Sequence, residues 1–257
     1  MIQSEQPSLQ QNKLTSTVKG EGIVNGVFIA CAIIGIWASS LVFLLTIDIS
    51  NIPTLWLLPA VLVQTFLYTG LFITAHDAMH GVVCPENKKL NHFIGAFALV
   101  IYGLLPYQNI LKKHWIHHNH PASELDPDFH DSKHKNFFAW YFYFMKQYWS
   151  WLRIGALVAI FNIIVYTLDI PERNLTWFWV VPSLLSSVQL FYFGTYLPHR
   201  EPKGGYNNSY RAKTNALPVF WSFVTCYHFG YHKEHHAFPA APWWKLPEVY
   251  KLNSDSI

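Results

Sequence analysis

Three long stretches of this chain contain no Asp, Glu, Lys or Arg, and they restrict the fold more than any other feature. They cover residues 23–47, 51–75 and 174–198. A helix needs about 20 apolar residues to cross the hydrocarbon core of a bilayer, and each stretch is long enough. A fourth stretch, residues 149–168, contains only Arg153 near its start, where a long side chain can reach the interface. The sequence therefore predicts an all-α integral membrane protein with four transmembrane helices.

The overall composition argues against a soluble fold. Charged residues make up 13% of the 257 residues, which is about half of the roughly 25% that soluble domains carry. A soluble domain would have to bury three uncharged helices of membrane length in a small core. The basic residues are dispersed and accompany no base-stacking motif, so we expect the lipid bilayer as a partner and no nucleic acid.

Two further segments predict helices that do not span the membrane. Residues 93–107 are apolar but short, and Gly103 and Pro106 interrupt them, which is typical of a re-entrant segment. Residues 137–150 are crowded with Trp, Tyr and Phe, which suits an interfacial helix. No repeat or linker divides the chain, so we expect a polar N-terminal segment over residues 1–22 and a single domain over residues 23–257.

The distribution of Lys and Arg predicts the orientation in the membrane. The loop around Asp48 has neither residue, and the loop at residues 169–174 has only Arg173. Nearly all other basic residues fall on the opposite side. Because Lys and Arg concentrate in cytoplasmic loops, we expect both termini on the cytoplasmic side.

Fourteen histidines are the most unusual feature of so apolar a chain. Three groups read "HDAMH" at residues 76–80, "HWIHH" at 114–118 and "HKEHH" at 232–236, and His199 stands alone. Spacings of three and four place imidazoles on one helical face, and all four places lie at the predicted cytoplasmic ends of apolar segments. Neutral imidazole is the commonest protein metal ligand, and eight or nine of them exceed what one ion can use. The pattern predicts a cytoplasmic-side site for two metal ions, and ligand type alone leaves Zn, Cu, Fe and Ni open.

These three groups resemble the HxxxH, HxxHH and HxxHH boxes of the membrane fatty-acid-desaturase-like superfamily. Within it, the chain resembles the bacterial and cyanobacterial β-carotene ketolases. That narrower resemblance rests on "DPDFH" at 126–130, "LPHRE" at 197–201, "YHFGYHKEHH" at 227–236 and "FPAAPWW" at 238–244.

The resemblance implies a diiron oxygenase that uses O2 to convert the C4 and C4′ methylenes of β-carotene to ketones, through echinenone to canthaxanthin. Each ketone needs two hydroxylations at one carbon followed by loss of water. Electrons would come from a soluble carrier such as reduced ferredoxin, since the sequence carries no haem, flavin or nicotinamide motif.

The resemblance also assigns residues. Asp126 and Asp128 would accept the second N–H of a metal-binding histidine, with turn formation as the alternative role. His228 is a tentative additional ligand, because it lies four residues before the third box. Nine histidines are the expected metal ligands: His76, His80, His114, His117, His118, His199, His232, His235 and His236.

Several residues receive weaker expectations. We expect His120 beside the site rather than on the metal. Glu201 and Glu234 are weaker candidates to contact a metal-binding histidine, and we expect them in solvent instead. Three further histidines are expected in loops or on the surface: His92, His130 and His134. Four aromatic residues are expected either to line a tunnel for the polyene or to pack between helices: Trp115, Tyr192, Phe193 and Tyr196.

Other functions share part of this pattern. A membrane fatty-acid desaturase or hydroxylase, or a carotenoid hydroxylase, would have the same boxes, and only the flanking strings argue against them. A metal transporter would place His or Asp near the middle of a span, where this sequence has none. A metalloprotease would need a Glu after the first His of an HExxH motif, and Asp77 occupies that position.

Overall fold

A computed structural model describes residues 23–254, so the predicted N-terminal segment at residues 1–22 lies outside the described part of the chain. All regular structure in the described range is helical. We number the longer helices α1 (Ile23–Thr46), α2 (Thr54–Met79), α3 (Lys88–Gly103), α4 (Tyr107–Asn119), α5 (Phe137–Gln147), α6 (Trp151–Leu168), α7 (Glu172–His199), α8 (Val219–Cys226), α9 (His232–Ala237) and α10 (Leu246–Ser254).

Four of these helices, α1, α2, α6 and α7, are long and apolar enough to cross a membrane. They coincide within a few residues with the four predicted stretches, so this part of the prediction is confirmed. Large apolar side chains point away from the bundle, among them Phe28, Trp56 and Leu152, which are 71%, 74% and 85% exposed. Such exposure suits contact with lipid rather than water.

Helix α2 forms the centre of the bundle and packs against α1, α3 and α7. Close approach depends on small residues. A Cβ atom placed on Gly95 of α3 would lie 2.6 Å from the Cβ of Ala78 on α2 and 2.5 Å from the ring of Tyr107 on α4. Gly95 therefore allows α3 and α4 to contact the end of α2 that carries the first histidine box.

Helices α3 and α4 meet at a bend of 103°. Leu104 ends α3 with a positive φ of 55°, and its N–H caps the carbonyls of Leu99 and Val100. Pro106 is the residue directly before α4, a position where the missing N–H of proline costs no helical hydrogen bond. The bend brings the second box back to the first, since the Nε2 atoms of His80 and His114 lie 2.6 Å apart. The two boxes therefore lie on one side of the bundle, and the depth of this pair in a membrane stays a prediction.

Helix α7 contains two π-helical turns, at Thr176–Val180 and Tyr192–Tyr196. Each precedes a proline by two residues, Pro182 and Pro198. Proline lacks an N–H and its ring clashes with the carbonyl four residues earlier, and a widened turn relieves that clash. The second π turn changes the helical register just before His199.

The two short loops on the other side of the bundle are tied together. The Arg173 guanidinium donates to the carbonyls of Ser50 at 2.9 Å and Ile52 at 2.7 Å. Asn174 is buried, and its amide donates to the carbonyls of Leu44 and Ile47 at 2.9 and 2.8 Å. Arg173 thus holds the loop that follows α1, and Asn174 caps the end of α1 itself.

Candidate metal centre

The nine predicted histidines meet in two clusters at the ends of α2, α4, α7 and α9. Within each cluster the ring nitrogens lie within 4.8 Å of one another. We call the five-membered group cluster A and the four-membered group cluster B. Cluster A contains His76, His80, His114, His118 and His235, and cluster B contains His117, His199, His232 and His236.

The boxes of the sequence do not correspond to the clusters of the structure. Box spacing predicted a shared face, yet His117 turns to cluster B while His114 and His118 belong to cluster A. The third box is divided in the same way, with His235 in cluster A. Consecutive residues of a helix point about 100° apart. Helices α4 and α9 can therefore each contribute histidines to both clusters. Spacing alone could not show this division.

The contacts between ring nitrogens fit bound metal ions. In cluster A, His118 Nε2 lies 3.0 Å from His235 Nε2, and in cluster B His232 Nε2 lies 3.1 Å from His236 Nε2. Two imidazoles that bind one ion at about 2.0–2.1 Å have nitrogens about 3 Å apart when they subtend a right angle. In addition, both ring nitrogens of the buried His76 have no hydrogen-bond partner among the described residues. Burying a polar nitrogen without a partner costs folding free energy. One cation bound within each cluster would give these nitrogens a partner.

His199, which had the least support in the sequence, lies in cluster B. Its Nδ1–H donates to the carbonyl of Arg211 at 2.9 Å. Its Nε2 is buried and has no hydrogen-bond partner in the described part of the chain. Its ring centre is 4.7 Å from that of His117 and 4.9 Å from that of His232. The backbone contact fixes the tautomer that leaves Nε2 free to bind a cation.

The two aspartates make different contacts. The Nδ1 of His117 lies 3.0 Å from Asp126, and the N–H of Ala122 donates to the same carboxylate at 2.8 Å. Burial alone would raise the pKa of the Asp126 carboxyl, but His117 and backbone donors outweigh it and hold that pKa below its usual value. Asp128 accepts no histidine N–H and instead accepts the hydroxyl of Tyr148. Burial, reinforced by the charge of Asp126, raises the pKa of Asp128 to about 6.

Burial favours the neutral form of several clustered imidazoles, whereas Asp126 outweighs burial at His117 and raises the pKa of that ring. Burial lowers the pKa values of His80, His232, His235 and His236 well below the usual 6.5, and neighbouring imidazoles lower them further. A neutral ring offers a lone pair to a metal, whereas a protonated ring does not. These histidines are therefore available as ligands at neutral pH.

Other histidines lie outside the clusters. His228 has a φ of 62° and precedes α9, which begins at His232, so its spacing of four residues from His232 does not place the two rings on one helical face. Its ring packs near Phe223 and Trp243. His120 is exposed beyond the end of α4, and within residues 23–254 no hydrogen bond or ring contact joins its side chain to a cluster, contrary to the expected place beside the site.

Three more expectations need correction. Glu234 is buried and accepts the hydroxyl of Thr214 at 2.7 Å, whereas we expected it in solvent; Glu201 is exposed as expected. His130 is buried against the ring of Trp140 rather than lying on the surface, because α5 folds over the loop that carries it. His134 is on the surface as expected and contacts Asp131. His92 is not a loop or surface residue: it lies partly buried in α3 and contacts Tyr107 of α4.

Asp77 contacts the site, although it is not among the residues expected there. Its Oδ1 lies 3.6 Å from His76 Nδ1, and its Oδ2 accepts the backbone N–H of Trp243 at 3.2 Å. It therefore connects cluster A with the C-terminal segment. The sequence does indicate this contact, because the Asp77 carboxylate directly follows the candidate ligand His76 in "HDAMH".

An apolar cavity of about 310 Å³ opens onto both clusters. His76 and His114 of cluster A and His117 and His232 of cluster B form part of its wall. None of the four aromatic residues expected along a tunnel lines this cavity. The apolar lining comes instead mainly from α2, α5, α6 and α7 and includes Phe72, Phe144, Leu157, Leu190 and Phe191.

Helices of membrane length that end in two histidine-only clusters define a class of helical membrane proteins with a site that fits a metal centre. The chain belongs to the fatty acid desaturase family, whose family model matches residues 50–173 and 145–256.

Individual relatives are similar over most of the chain. A beta-carotene 4-ketolase of Protosiphon botryoides is 38% identical over 88% of this chain and 64% of its own length. A zeaxanthin 4-ketolase of Chlamydomonas reinhardtii is 36% identical over 89% of this chain and 54% of its own. A beta-carotene ketolase of Paracoccus sp. (strain PC1) is 40% identical over 73% of this chain and 76% of its own. The chain thus spans less than two thirds of the length of the relatives from Protosiphon botryoides and Chlamydomonas reinhardtii.

Proposed function

We propose that this protein is a carotenoid 4-ketolase, an O2-dependent membrane oxygenase that converts the C4 methylene of a β-carotene ring to a ketone. The observation that carries the proposal is the apolar cavity whose wall includes histidines of both clusters. A hydrocarbon ring is the ligand that such a lining suits. The relatives named beta-carotene ketolase and zeaxanthin 4-ketolase support the same substrate class.

The nine clustered histidines would hold two iron ions, one for each cluster. Iron bound by neutral imidazoles would supply the O2 activation needed to attack an unactivated hydrocarbon. The protein's own part is to orient these imidazoles, through Asp126 on His117 and the Arg211 carbonyl on His199. The apolar lining of the cavity would keep water from the reacting carbon once a hydrocarbon ring fills it.

The reaction balances with four electrons for each ketone, which is four equivalents of a one-electron carrier. Each hydroxylation takes one O2, two electrons and two protons, inserts one oxygen atom into a C–H bond and releases the other as water. Two hydroxylations at one carbon give a geminal diol, which loses water to leave the ketone. We propose that a soluble one-electron carrier such as reduced ferredoxin supplies the electrons.

The cavity volume limits how the substrate binds. At about 310 Å³ it falls at the small end of the range of about 300–1,000 Å³ for ligand pockets, which admits one ring and not a whole carotenoid. We propose that the remaining polyene extends into the bilayer between α6 and α7, because both helices line the cavity. The two ends of the substrate would then be oxidised in separate binding events.

The membrane arrangement completes the proposal. Four spans would place the histidine clusters and both termini at the cytoplasmic face, as the distribution of Lys and Arg favours.

Pigment analysis tests the function. Cells that make β-carotene should accumulate 4-keto products when they express the protein, and the His117→Ala variant should leave β-carotene unchanged. Unchanged β-carotene alongside folded, iron-containing wild-type protein would reject the proposal. A product hydroxylated at C3 without a ketone would indicate a carotenoid hydroxylase, and altered fatty acids would indicate an acyl-chain enzyme.

A further inference from the structure

Asp128 occupies a position that metal binding does not explain. It lines the apolar cavity beside Tyr148, on the same wall as His117. A carboxylate oxygen of Asp128 lies within 4.8 Å of a ring nitrogen of His117. However, the hydrogen bond to His117 Nδ1 is made by Asp126.

The backbone around Asp128 is held firmly, while its carboxylate is only half satisfied. Its N–H donates to Asp126 at 2.9 Å, and the indole N–H of Trp140 donates to its carbonyl at 2.9 Å. The Tyr148 hydroxyl donates to one carboxylate oxygen, Oδ1. Within residues 23–254, no hydrogen bond reaches the other oxygen, Oδ2.

The two serine side chains of the cavity have local partners. The Ser183 hydroxyl donates to the Val180 carbonyl at 2.8 Å, and the Ser187 hydroxyl donates to the Leu184 carbonyl at 2.7 Å. The Oδ2 atom of Asp128 is therefore an unused acceptor beside the proposed metal centre.

A hydrocarbon ring offers nothing to this acceptor, and a carboxylate oxygen covered by apolar atoms without a donor is unfavourable. The singly hydroxylated ring, which is the intermediate of the proposed function, carries an O–H donor. We propose that Asp128 and Tyr148 hold the C4 hydroxyl of this intermediate, with the hydroxyl donating to Oδ2 while Tyr148 fixes the carboxylate through Oδ1. This inference rests on the proposed ketolase function.

Retention of the intermediate has a clear consequence for the products. A ketone requires two oxygenations at the same carbon, and the alcohol must stay in the cavity between them. A hydrogen bond to a charged acceptor strengthens binding by about tenfold or more. The pair Asp128 and Tyr148 thus favours the ketone over release of the alcohol.

Product ratios in β-carotene-producing cells give the first test. The Asp128→Asn variant should raise the ratio of 4-hydroxy to 4-keto product several-fold, and Tyr148→Phe should raise it less. Asp131→Asn and Tyr143→Phe are matched controls, because Asp131 lies in the same loop and Tyr143 on the same helix, and neither lines the cavity. Both should keep the wild-type ratio.

Binding to zinc-substituted protein gives a second test that needs no turnover. Quenching of tryptophan fluorescence, with Trp149 in the cavity wall, would report affinity for β-carotene and for its 4-hydroxy derivative. The wild type should bind the 4-hydroxy compound about tenfold more tightly, and Asp128→Asn should lose that preference while keeping its affinity for β-carotene. An equal preference for a 3-hydroxylated ring would contradict the assignment to C4.

The outcomes separate this inference from the function on which it rests. A wild type that makes no ketone rejects the function. A wild type that makes ketone, with Asp128→Asn unchanged in both product ratio and binding preference, rejects only the role of Asp128. If Asp128→Asn fails to fold, Tyr148→Phe decides, and an unchanged ratio in that variant overturns the proposal.

Discussion

At the scale of single residues, His199 and His228 show how position in the fold separates a candidate ligand from a structural histidine. Both are buried, and each has one ring nitrogen without a hydrogen-bond partner in residues 23–254. His199 meets three other imidazoles in cluster B, whereas His228 contacts Phe223 and Trp243. The positive φ of His228 turns its backbone away from α9.

We therefore expect opposite results from two alanine variants. His199→Ala should lose about one of two bound metal ions and abolish ketone formation, because it removes one of the four nitrogens of cluster B. His228→Ala should retain both ions even if turnover falls. Metal analysis of purified protein measures this, and metal loss in His228→Ala with full retention in His199→Ala would show that the ninth ligand is misassigned.

The neutral imidazoles also predict how pH affects the metal-free protein. The pKa values of His232, His235 and His236 are lower in the folded chain than the usual 6.5. Below about pH 6.5 the unfolded chain binds protons that the folded chain does not, so the free energy of unfolding should fall. The slope is about 1.4 kcal/mol per pH unit for each such histidine.

Thermal unfolding of the metal-free protein between about pH 8 and about pH 5 checks this expectation. His235→Ala should make the dependence shallower, because it removes one of the imidazoles whose pKa burial lowers. A midpoint that rises on acidification would contradict the account.

At the scale of elements, Gly95 determines how closely α3 approaches the first box. An added methyl group would overlap Ala78 and Tyr107. Gly95→Ala should lower the free energy of unfolding by about 1–3 kcal/mol and reduce metal content, because α2 and α4 must separate where they carry His80 and His114.

The matched control is Gly155→Ala in α6, where no atom lies within 4 Å of the added methyl group. Replacing glycine within a helix stabilises it by up to about 1 kcal/mol, so this variant should be as stable as the wild type or more so. Unfolding midpoints in detergent compare the two. Equal effects of both variants would argue against close packing at Gly95.

The elements also show which parts of the fold the sequence could predict. Uncharged stretches predicted α1, α2, α6 and α7, since length and apolarity are local properties of the chain. The division of the second and third boxes between two clusters could not be predicted, because it depends on where α4 and α9 lie relative to α2. The π turn before His199 and the burial of Glu234 and His130 depend likewise on contacts distant in sequence.

At the scale of the whole molecule, the proposed orientation can be tested directly. In a variant without Cys31, Cys84 and Cys226, we expect a cysteine at position 172 to react with a membrane-impermeant reagent from the non-cytoplasmic side. A cysteine at position 88 should react only from the cytoplasmic side. The ties from Arg173 to the carbonyls of Ser50 and Ile52 place both short loops together, so a cysteine at position 50 should match position 172.

Labelling of position 88 from the non-cytoplasmic side would contradict this topology. It would place the start of α3 opposite to the predicted side, and the contact between His80 and His114 would then put the clusters there as well.

The central claim is that two clusters of imidazoles hold two irons that oxidise a carotenoid ring. Its most direct test is a titration of metal-free protein with iron, in which bound iron and the ketone formed from β-carotene with O2 and reduced ferredoxin are measured together. We expect ketone formation to rise with iron and to reach its maximum at two irons per chain, while protein filled with zinc, which has no redox chemistry, stays inactive. Full activity at one iron per chain, or in zinc-filled protein free of iron, would contradict the account.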